Sequence, residues 1–323
     1  MPEPVDILVL FEHPEWQKPL FEALSRRGVS FAGYDLKTAV FGERDPAPAR
    51  LVFNQASPSA YLRGNTRAVP MALALMECLE ARGVPVLNGS RAFRFELSKA
   101  VQARQMALAG IDYPRTLAFN DVASLRKRAG EIGFPAILKP NQGGSGARMF
   151  KVESVDEVET ILADEAMWRP DHLMLLQEYL PHDSLNDGVI RMEFLGGSLL
   201  YAMRVTSAAS SFNLCPSEVC NPVDGQEGAC ALPSAAPAPH AAAAPTFTPY
   251  PEVPAEAVEI GRRICAIGGL DVAGIEYLET PDGRRVYYDI NANSNLRKPV
   301  GEAFGIDPFD EVVSFLLRRL GEL

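Results

Sequence analysis

The sequence is short of everything that would take a chain into or across a membrane. No apolar run approaches the roughly 18 residues that span a bilayer. The opening MPEPVDILVLFEH has no basic stretch ahead of its short apolar segment, so neither a span nor a signal peptide is expected. Cysteines are few and odd in number: five, Cys78, Cys215, Cys220, Cys230 and Cys265. That scatter does not make a disulfide framework, and a cytoplasmic location is expected. Cys215 and Cys220, even with Cys230 and His240, lack the close paired spacing of a zinc site. Positive charge is also scarce, with 31 Lys and Arg against 41 Asp and Glu and a net charge of -10, which argues against a nucleic-acid partner. The four histidines, His13, His172, His182 and His240, fall in no Ser-His-Asp or Cys-His arrangement. No G-x-G-x-x-G follows the first strand pattern, and there is no G-x-x-x-x-G-K-[ST] loop.

What remains is an ordinary globular composition, 47% apolar and 22% charged over 323 residues, long enough for two or three domains. Strand and helix patterns alternate at the start: strand Val5 to Phe11, helix Pro14 to Arg27, strand Val29 to Tyr34, strand Leu51 to Asn54, helix Thr66 to Arg82 and strand Val84 to Leu87. This is the βαβ signature of a parallel sheet. The loop Gln55 to Ser59 follows the third strand, at the strand end where open sheets bind ligands, though on local grounds a plain Pro-containing loop is the stronger reading. A second unit opens near Arg91 with a helix over Ala92 to Ala109 that holds Lys99 and stops at Gly110. Strands Pro114 to Ala118, Pro135 to Lys139 and Met149 to Val152 follow, then an apolar strand, Leu173 to Tyr179, that ends in Gln177 and Glu178. Val189 to Phe194 and Ser198 to Val205 form a hairpin. Thr206 to Pro251 has no period and is rich in Ala and Pro, so it reads as an insertion with little core of its own. Helices Ala255 to Ile267 and Pro308 to Leu320 flank the last hairpin.

That last hairpin, Val272 to Asn295, carries the chemistry. Two β-prone runs flank Pro281-Asp282-Gly283. If Ile275 pairs with Ile290 and Tyr277 with Tyr288, the packed face is Ile275, Tyr277, Val286, Tyr288 and Ile290. Glu276 then faces Asp289, with Asn291 two residues on. Opposed Cβ atoms about 5 Å apart crowd two anions unless a cation lies between them. Two carboxylates and an amide oxygen are hard ligands suited to Mg²⁺; a solvated surface hairpin is the alternative. A three-residue Pro-Asp-Gly loop would shift the parity and put Asp289 on the wrong face, whereas a two- or four-residue connection keeps the carboxylates together, and the apolar pattern favours that parity.

Upstream, Lys139 precedes Pro140-Asn141-Gln142-Gly143-Gly144-Ser145-Gly146. The glycines let backbone N–H groups approach phosphate oxygens, although GGSG alone reads better as a hairpin turn. Two lysines 40 residues apart, a strand ending in Gln-Glu and a terminal acidic hairpin occur in one order.

In that order, the segments SKAVQARQMALAGIDYPRT, FPAILKPNQGGSGARMF, LLQEYLP and VAGIEYLETPDGRRVYYDINANSN resemble the ATP-grasp superfamily. The closest resemblance is to its carboxylate–amine ligase branch, which includes the ribosomal protein S6 glutamate ligase and related amino-acid ligases. The resemblance implies a mixed α/β and α+β fold: an N-terminal βαβ domain over residues 1–90, then a two-part ATP-grasp fold. The central part, 91–180, carries the glycine loop, and 181–323 carries the Mg²⁺ hairpin and the insertion. It implies that Lys99 and Lys139 contact ATP phosphates and that Gly143, Gly144, Ser145 and Gly146 close over them. Gln177, Glu178, Tyr179 and Leu180 would form the hinge and read adenine, and Asp183 would take the ribose. Glu276, Asp289 and Asn291 would hold Mg²⁺, with Mn²⁺ as a substitute. Arg204, with Asn213 shortly after it, and Arg191 would stabilise the transferring phosphoryl group; a surface salt bridge is the other reading of either arginine. The activity implied is ADP-forming amide-bond formation through an acyl-phosphate, on a small-molecule or peptide carboxylate and an amine, with a homo-oligomer left open. A kinase acting on a hydroxyl group, or a silent nucleotide-binding protein, are the alternatives.

The sequence departs from its relatives in three places. Val189-Ile190-Arg191 stands where they often have Asp-Ile-Arg, leaving ribose or substrate contacts to Asp183 or Asp187. Asn291-Ala292-Asn293-Ser294-Asn295-Leu296-Arg297 lacks the Pro-Gly many carry after the second metal residue, which leaves acceptor choice open. The insertion could act as a lid.

Overall fold

The computed structural model describes residues 4–144, 146–181, 188–206 and 245–323. Ser145, Asp183, Asp187, Asn213, Cys215, Cys220, Cys230, His182 and His240 lie outside them. The chain opens as a four-stranded parallel sheet with strand order β2-β1-β3-β4, built from β1 (Val5–Phe11), β2 (Phe31–Asp35), β3 (Ala49–Asn54) and β4 (Val86–Leu87). The unbroken apolar run of β1 reflects burial on both faces. Ile7 and Val9 enter one core, Leu8 and Leu10 another. Helices α1 (Pro14–Arg26) and α2 (Ala68–Ala81) connect these strands; α1 begins on a proline, whose missing N–H costs nothing there.

The helix expected over Ala92 to Ala109 is two helices, α3 (Ser90–Leu97) and α4 (Lys99–Ala109). Ser98 breaks it. Its backbone is extended, and its Oγ accepts the Val101 N–H at 3.3 Å as an N-cap. The same Oγ donates to Asn141 Oδ1 at 3.1 Å, and Asn141 Oδ1 also accepts the Ala100 N–H at 2.9 Å. The break makes Lys99 the first residue of α4 and ties it to the loop after Lys139.

A four-stranded antiparallel sheet follows, in order β5-β8-β6-β7: β5 (Thr116–Phe119), β6 (Ala136–Pro140), β7 (Phe150–Val152) and β8 (Met174–Glu178). Helices α5 (Val122–Arg126) and α6 (Val155–Leu162) cover its apolar face. The third sheet, order β11-β10-β9-β12-β13, is antiparallel throughout: β9 (Val189–Leu195), β10 (Ser198–Thr206), β11 (Thr246–Pro249), β12 (Val272–Glu279) and β13 (Arg285–Asn291). The end of the segment read as patternless is therefore a strand, because Thr246–Pro249 pairs with Met203 to Thr206 along the edge of β10. Helix α7 (Ala255–Gly268) packs on one face of this sheet. The other face shares a core with the first sheet and with α9 (Pro308–Gly321), which follows the short α8 (Lys298–Ala303). Arg26 on α1 pairs with Asp310 on α9 at 2.8 Å. Asn88 fastens the first sheet to the third: buried after β4, it accepts the Asp271 and Val272 N–H groups at 2.8 and 3.1 Å and donates to Val272 O and Ala292 O.

The β12–β13 hairpin resolves the parity question in an unexpected way. The connection is the three-residue one: Thr280 and Arg284 bond across Pro281-Asp282-Gly283, with Gly283 at φ +81°. Alone it would misplace Asp289. A β-bulge between Glu276 and Tyr277 corrects it, so Tyr277 pairs with Tyr287 while Glu276 pairs with Asp289 and Ile275 with Ile290. The expected packed face is corrected accordingly: Tyr287, not Tyr288, joins Ile275, Tyr277 and Ile290 in the core, and Val286 packs on the opposite face with Leu278.

Candidate functional site

The site is built where the second and third sheets approach the start of α4. Asp289, opposite Glu276 in the hairpin, is bonded to the Lys99 ammonium. Burial opposes ionisation of Asp289, but the Lys99 charge and bond outweigh it and hold the carboxyl at about 2. Lys99 is likewise raised above the usual lysine value, because Asp289 outweighs the cost of burial. Asn291 Nδ2 donates to the other Asp289 oxygen at 2.7 Å. Lys139, on β6, is buried, and among the described residues no carboxylate lies within ion-pair distance of it. Burial and then the neighbouring Lys99 charge push its ammonium down to about 7, with Asp289 opposing.

Glu276 sits at the centre of a second network, in which Arg191, Glu193, Glu276 and Ser294 are buried and Tyr288 is half-buried. It accepts from Arg191 Nη1 at 2.7 Å and from the Tyr288 hydroxyl at 2.6 Å. The bulge is what brings Tyr288 round to it. Arg191 also donates Nε to Glu193 at 2.6 Å and Nη2 to Ser294 Oγ at 3.1 Å, and Ser294 donates to Glu193. Gly274 leaves room for the guanidinium, since a Cβ there would lie 2.1 Å from Arg191 Nη2. Burial raises Glu276 above the usual carboxylate value, Arg191 lowers it and Asp289 raises it again.

Strand alternation separates the two arginines. Arg191 faces Glu276 across the β9–β12 ladder. Arg204 pairs with Ile190, on the sheet face that carries α7, and its guanidinium lies 5.2 Å from the centre of the Tyr250 ring. The geometry does not bring Arg204 to the carboxylates.

The glycine loop lies against the first unit. Gln142 Nε2 donates to Pro58 O at 2.9 Å, and a Cβ on Gly144 would meet Ser59 Cβ at 2.9 Å. Gly143 packs beside Pro140, and Gly146 has φ +66°. The turn of residues 58–63 that receives the loop follows Gln55-Ala56-Ser57, at the carboxyl end of β3. At the far end of β8, Gln177 is buried and donates to Thr116 Oγ1 at 2.9 Å. Glu178 is clamped by the Arg115 Nε at 3.1 Å, Tyr179 lies under the Lys151 ammonium at 4.8 Å, and Leu180 packs on the shared core.

Sequence reasoning passed over Glu193 and Glu96, placed Tyr288 in the core, and named Ser294 only within the tail that bears on acceptor choice. Glu193 had a signal, because it is two residues from Arg191 on one strand and so shares its face. Glu96, in the last turn of α3, is buried and accepts the Asn293 N–H at 3.2 Å. Burial raises it to about 8, against the pull of that N–H.

Among the described residues no group of three His, Cys, Asp or Glu side chains has metal-binding geometry. The acidic pair with Asn291 is a two-carboxylate-plus-amide set, and its hard oxygens fit Mg²⁺ in type. Lys99 now supplies the positive charge at Asp289.

The sequence matches no protein-family model. It is 30% identical over 118 residues to a D-alanine–D-alanine ligase of Ectopseudomonas mendocina, covering 36% of this chain and 37% of that protein. It is 23% identical over 252 residues to beta-citrylglutamate synthase B of Danio rerio, covering 77% of this chain and 54% of that protein. The chain thus spans about half or less of these curated relatives. Among solved structures, the ATP-grasp ligase PsnB complexed with a minimal precursor superposes with a TM-score of 0.66 at 20% identity, over 97% of this chain and 99% of that one. The sequence likeness to the ATP-grasp ligases is borne out: the chain has the ATP-grasp fold, mixed α/β with one parallel and two antiparallel sheets.

Proposed function

We propose that this chain is an ADP-forming, ATP-dependent carboxylate–amine ligase. The observation that carries the reading is the opposition of Glu276 and Asp289, with Asn291 two residues on and Lys99 and Lys139 beside them. In this reading Lys99 and Lys139 bind the phosphates, and the loop at Gly143, Gly144 and Gly146, with Ser145, covers them. The backbone after Gln177 and Glu178, at Tyr179 and Leu180, takes the adenine, and Asp183 the ribose. Glu276, Asp289 and Asn291 would hold Mg²⁺, or Mn²⁺ in its place, which when bound neutralises phosphate charge. Nucleotide phosphates draw Lys99 off Asp289 and free that carboxylate for the cation.

A substrate carboxylate oxygen attacks the γ-phosphorus. The new O–P bond forms as the bond to the β-phosphate oxygen breaks, and ADP leaves. An amine nitrogen then attacks the acyl carbon, phosphate departs with the C–O electrons, and the nitrogen loses a proton. No protein nucleophile takes part. Lys99 and Lys139 orient the phosphates, and the closed loop keeps water from the acyl-phosphate. Arg191 is assigned to positioning, since Glu193, Glu276 and Ser294 already engage its guanidinium. The assignment of Arg204 and Asn213 to phosphoryl stabilisation rests on sequence resemblance alone.

The relatives' names point to amino-acid and peptide substrates. Division into units 1–90, 91–180 and 181–323 is supported by each sheet drawing all its strands from one of those ranges. Among the described residues no helix is long and apolar enough to cross a membrane; a cytoplasmic site of action belongs to the same proposal. The test is trapping with hydroxylamine in the presence of ATP, Mg²⁺ and a panel of carboxylic acids. A ligase gives hydroxamate and stoichiometric phosphate, a kinase gives a phosphorylated hydroxyl compound, and a silent nucleotide binder gives neither.

A further inference from the structure

A pocket opens directly beside the network that holds Glu276. Its walls come from α1, the end of β3, the tail after β13 and α9, and its apolar lining includes Trp16, Leu20, Phe53, Leu296, Phe309 and Val312. Gln55, Asn295 and Lys298, all partly exposed, mark its solvent side. Ser294 belongs to both structures: it lines the pocket and accepts from Arg191 Nη2 at 3.1 Å, while Arg191 Nη1 bonds Glu276 at 2.7 Å. The pocket therefore neighbours the proposed reaction centre, with Ser294 as the side chain between it and the guanidinium that holds Glu276. Among the described residues no Asp or Glu lines it, and the one lysine that does, Lys298, already pairs with Asp307 at 3.2 Å. Two polar atoms of its wall residues, Trp16 Nε1 and Gln17 Oε1, are buried with no hydrogen-bond partner among the described residues. Unmet groups of this kind cost stability unless a ligand or water meets them.

We propose that this pocket selects an α-amino acid substrate by accepting a large apolar side chain, of the size of leucine, methionine or phenylalanine. The inference rests on the ligase reading, whose acid and amine substrates it narrows. An apolar wall beside the site rewards the extra methylenes of such a side chain. An acidic side chain would be stripped of water there without an uncommitted cation to meet it, since Lys298 already pairs with Asp307.

Binding is read separately from turnover. The chain has two tryptophans, Trp16 and Trp168, so a Trp168→Phe variant reports on the pocket through Trp16 emission. With a non-hydrolysable ATP analogue and Mg²⁺ present, leucine or phenylalanine should shift that emission saturably, at concentrations at least about tenfold below alanine or glutamate. Val312→Ala should move the preference toward larger side chains, and Val312→Phe toward smaller ones, with nucleotide affinity unchanged in both. If Val312→Phe does not fold, the Val312→Ala shift decides alone. Equal or tighter binding of alanine or glutamate, or no selectivity change in Val312→Ala, overturns the proposal. Failure of the ligase reading looks different: selective binding of leucine with no ATP-dependent phosphate release or hydroxamate. Turnover confined to small or acidic substrates would sink the pocket assignment while leaving the ligase reading intact.

Discussion

The Lys99 ammonium is bonded to Asp289, a carboxylate 190 positions further along the chain. The bond exists because Ser98 interrupts a helix and delivers Lys99 at the start of the next one, and because a bulge delivers Asp289 to the same face as Glu276. The pair keeps a part-buried anion and a buried cation mutually neutral until nucleotide arrives. Asp289→Asn should therefore leave the chain folded by circular dichroism but lower ATP-dependent phosphate release at least a hundredfold. Lys99 would lose its partner, so a lower melting temperature is expected as well. Wild-type turnover in Asp289→Asn would remove Asp289 from the site.

Lys139 gives a pH signature. Its ammonium is pushed down to about 7 by burial and by the Lys99 charge. In the unfolded chain it titrates at the ordinary lysine value, so between about 7 and that value the unfolded state binds the extra proton. Through this window the unliganded protein should gain stability as pH rises, because the cost of the buried charge disappears. Nucleotide binding has the opposite sign. Phosphates favour the charged lysine, so affinity for ATP should fall as pH rises above about 7, by up to roughly tenfold per unit. Calorimetry in two buffers of different ionisation enthalpy should show proton uptake on binding at pH 8. Lys139→Arg should bind without that uptake, since arginine stays charged.

Most of this arrangement was legible in the sequence because it follows local periodicity. Alternation pointed to the pairing of Ile275 with Ile290 and of Glu276 with Asp289, although it favoured a connection of even length and the structure reaches the pairing through a three-residue loop and a bulge; the apolar run Ile7 to Phe11 of β1 pointed to a doubly covered parallel strand. The bulge was not legible. Tyr287 and Tyr288 are both aromatic, so composition could not say which of them enters the core, and only the loop length forces the choice. The split at Ser98 was hidden for a related reason: Leu97-Ser98-Lys99 reads as continuous helix unless Asn141, 43 positions away, accepts the Ser98 hydroxyl. Thr246–Pro249 lay in an Ala/Pro-rich stretch whose strand character comes from the free edge of β10, a tertiary fact. Glu96 escaped notice because its significance is burial beside Asn293, which no nearby motif marks.

Gly274 and Gly283 separate a packing requirement from a backbone one. Gly283 has φ +81° with nothing within 4 Å of an added Cβ. Gly283→Ala should cost about 1 kcal/mol through backbone strain and leave nucleotide binding alone. At Gly274 the added Cβ would lie 2.1 Å from Arg191 Nη2, so Gly274→Ala must displace the guanidinium from Ser294. An overpacked core of this kind costs about 1–3 kcal/mol, and Mg²⁺-dependent turnover should fall with it. Urea denaturation of both variants, alongside turnover, checks the contrast. Equal activity in the two would mean that the Arg191 network does not position Glu276.

Tyr288 tests whether the bulge serves the site or only the strand. Its hydroxyl donates to Glu276 at 2.6 Å while Arg191 holds the other Glu276 oxygen. Tyr288→Phe keeps the ring and the bulge and deletes one donor to a buried carboxylate. Losing such a charge-assisted bond costs about 1.5–3 kcal/mol. Part of that cost vanishes when a divalent cation neutralises Glu276, so the variant should be least stable without Mg²⁺ and recover in its presence. Thermal melts with and without Mg²⁺ and an ATP analogue measure this directly: the expected result is a larger cation-induced rise in melting temperature for Tyr288→Phe than for the wild type. An equal rise in both would mean that Glu276 does not meet the cation, leaving Asp289 and Asn291 as its ligands.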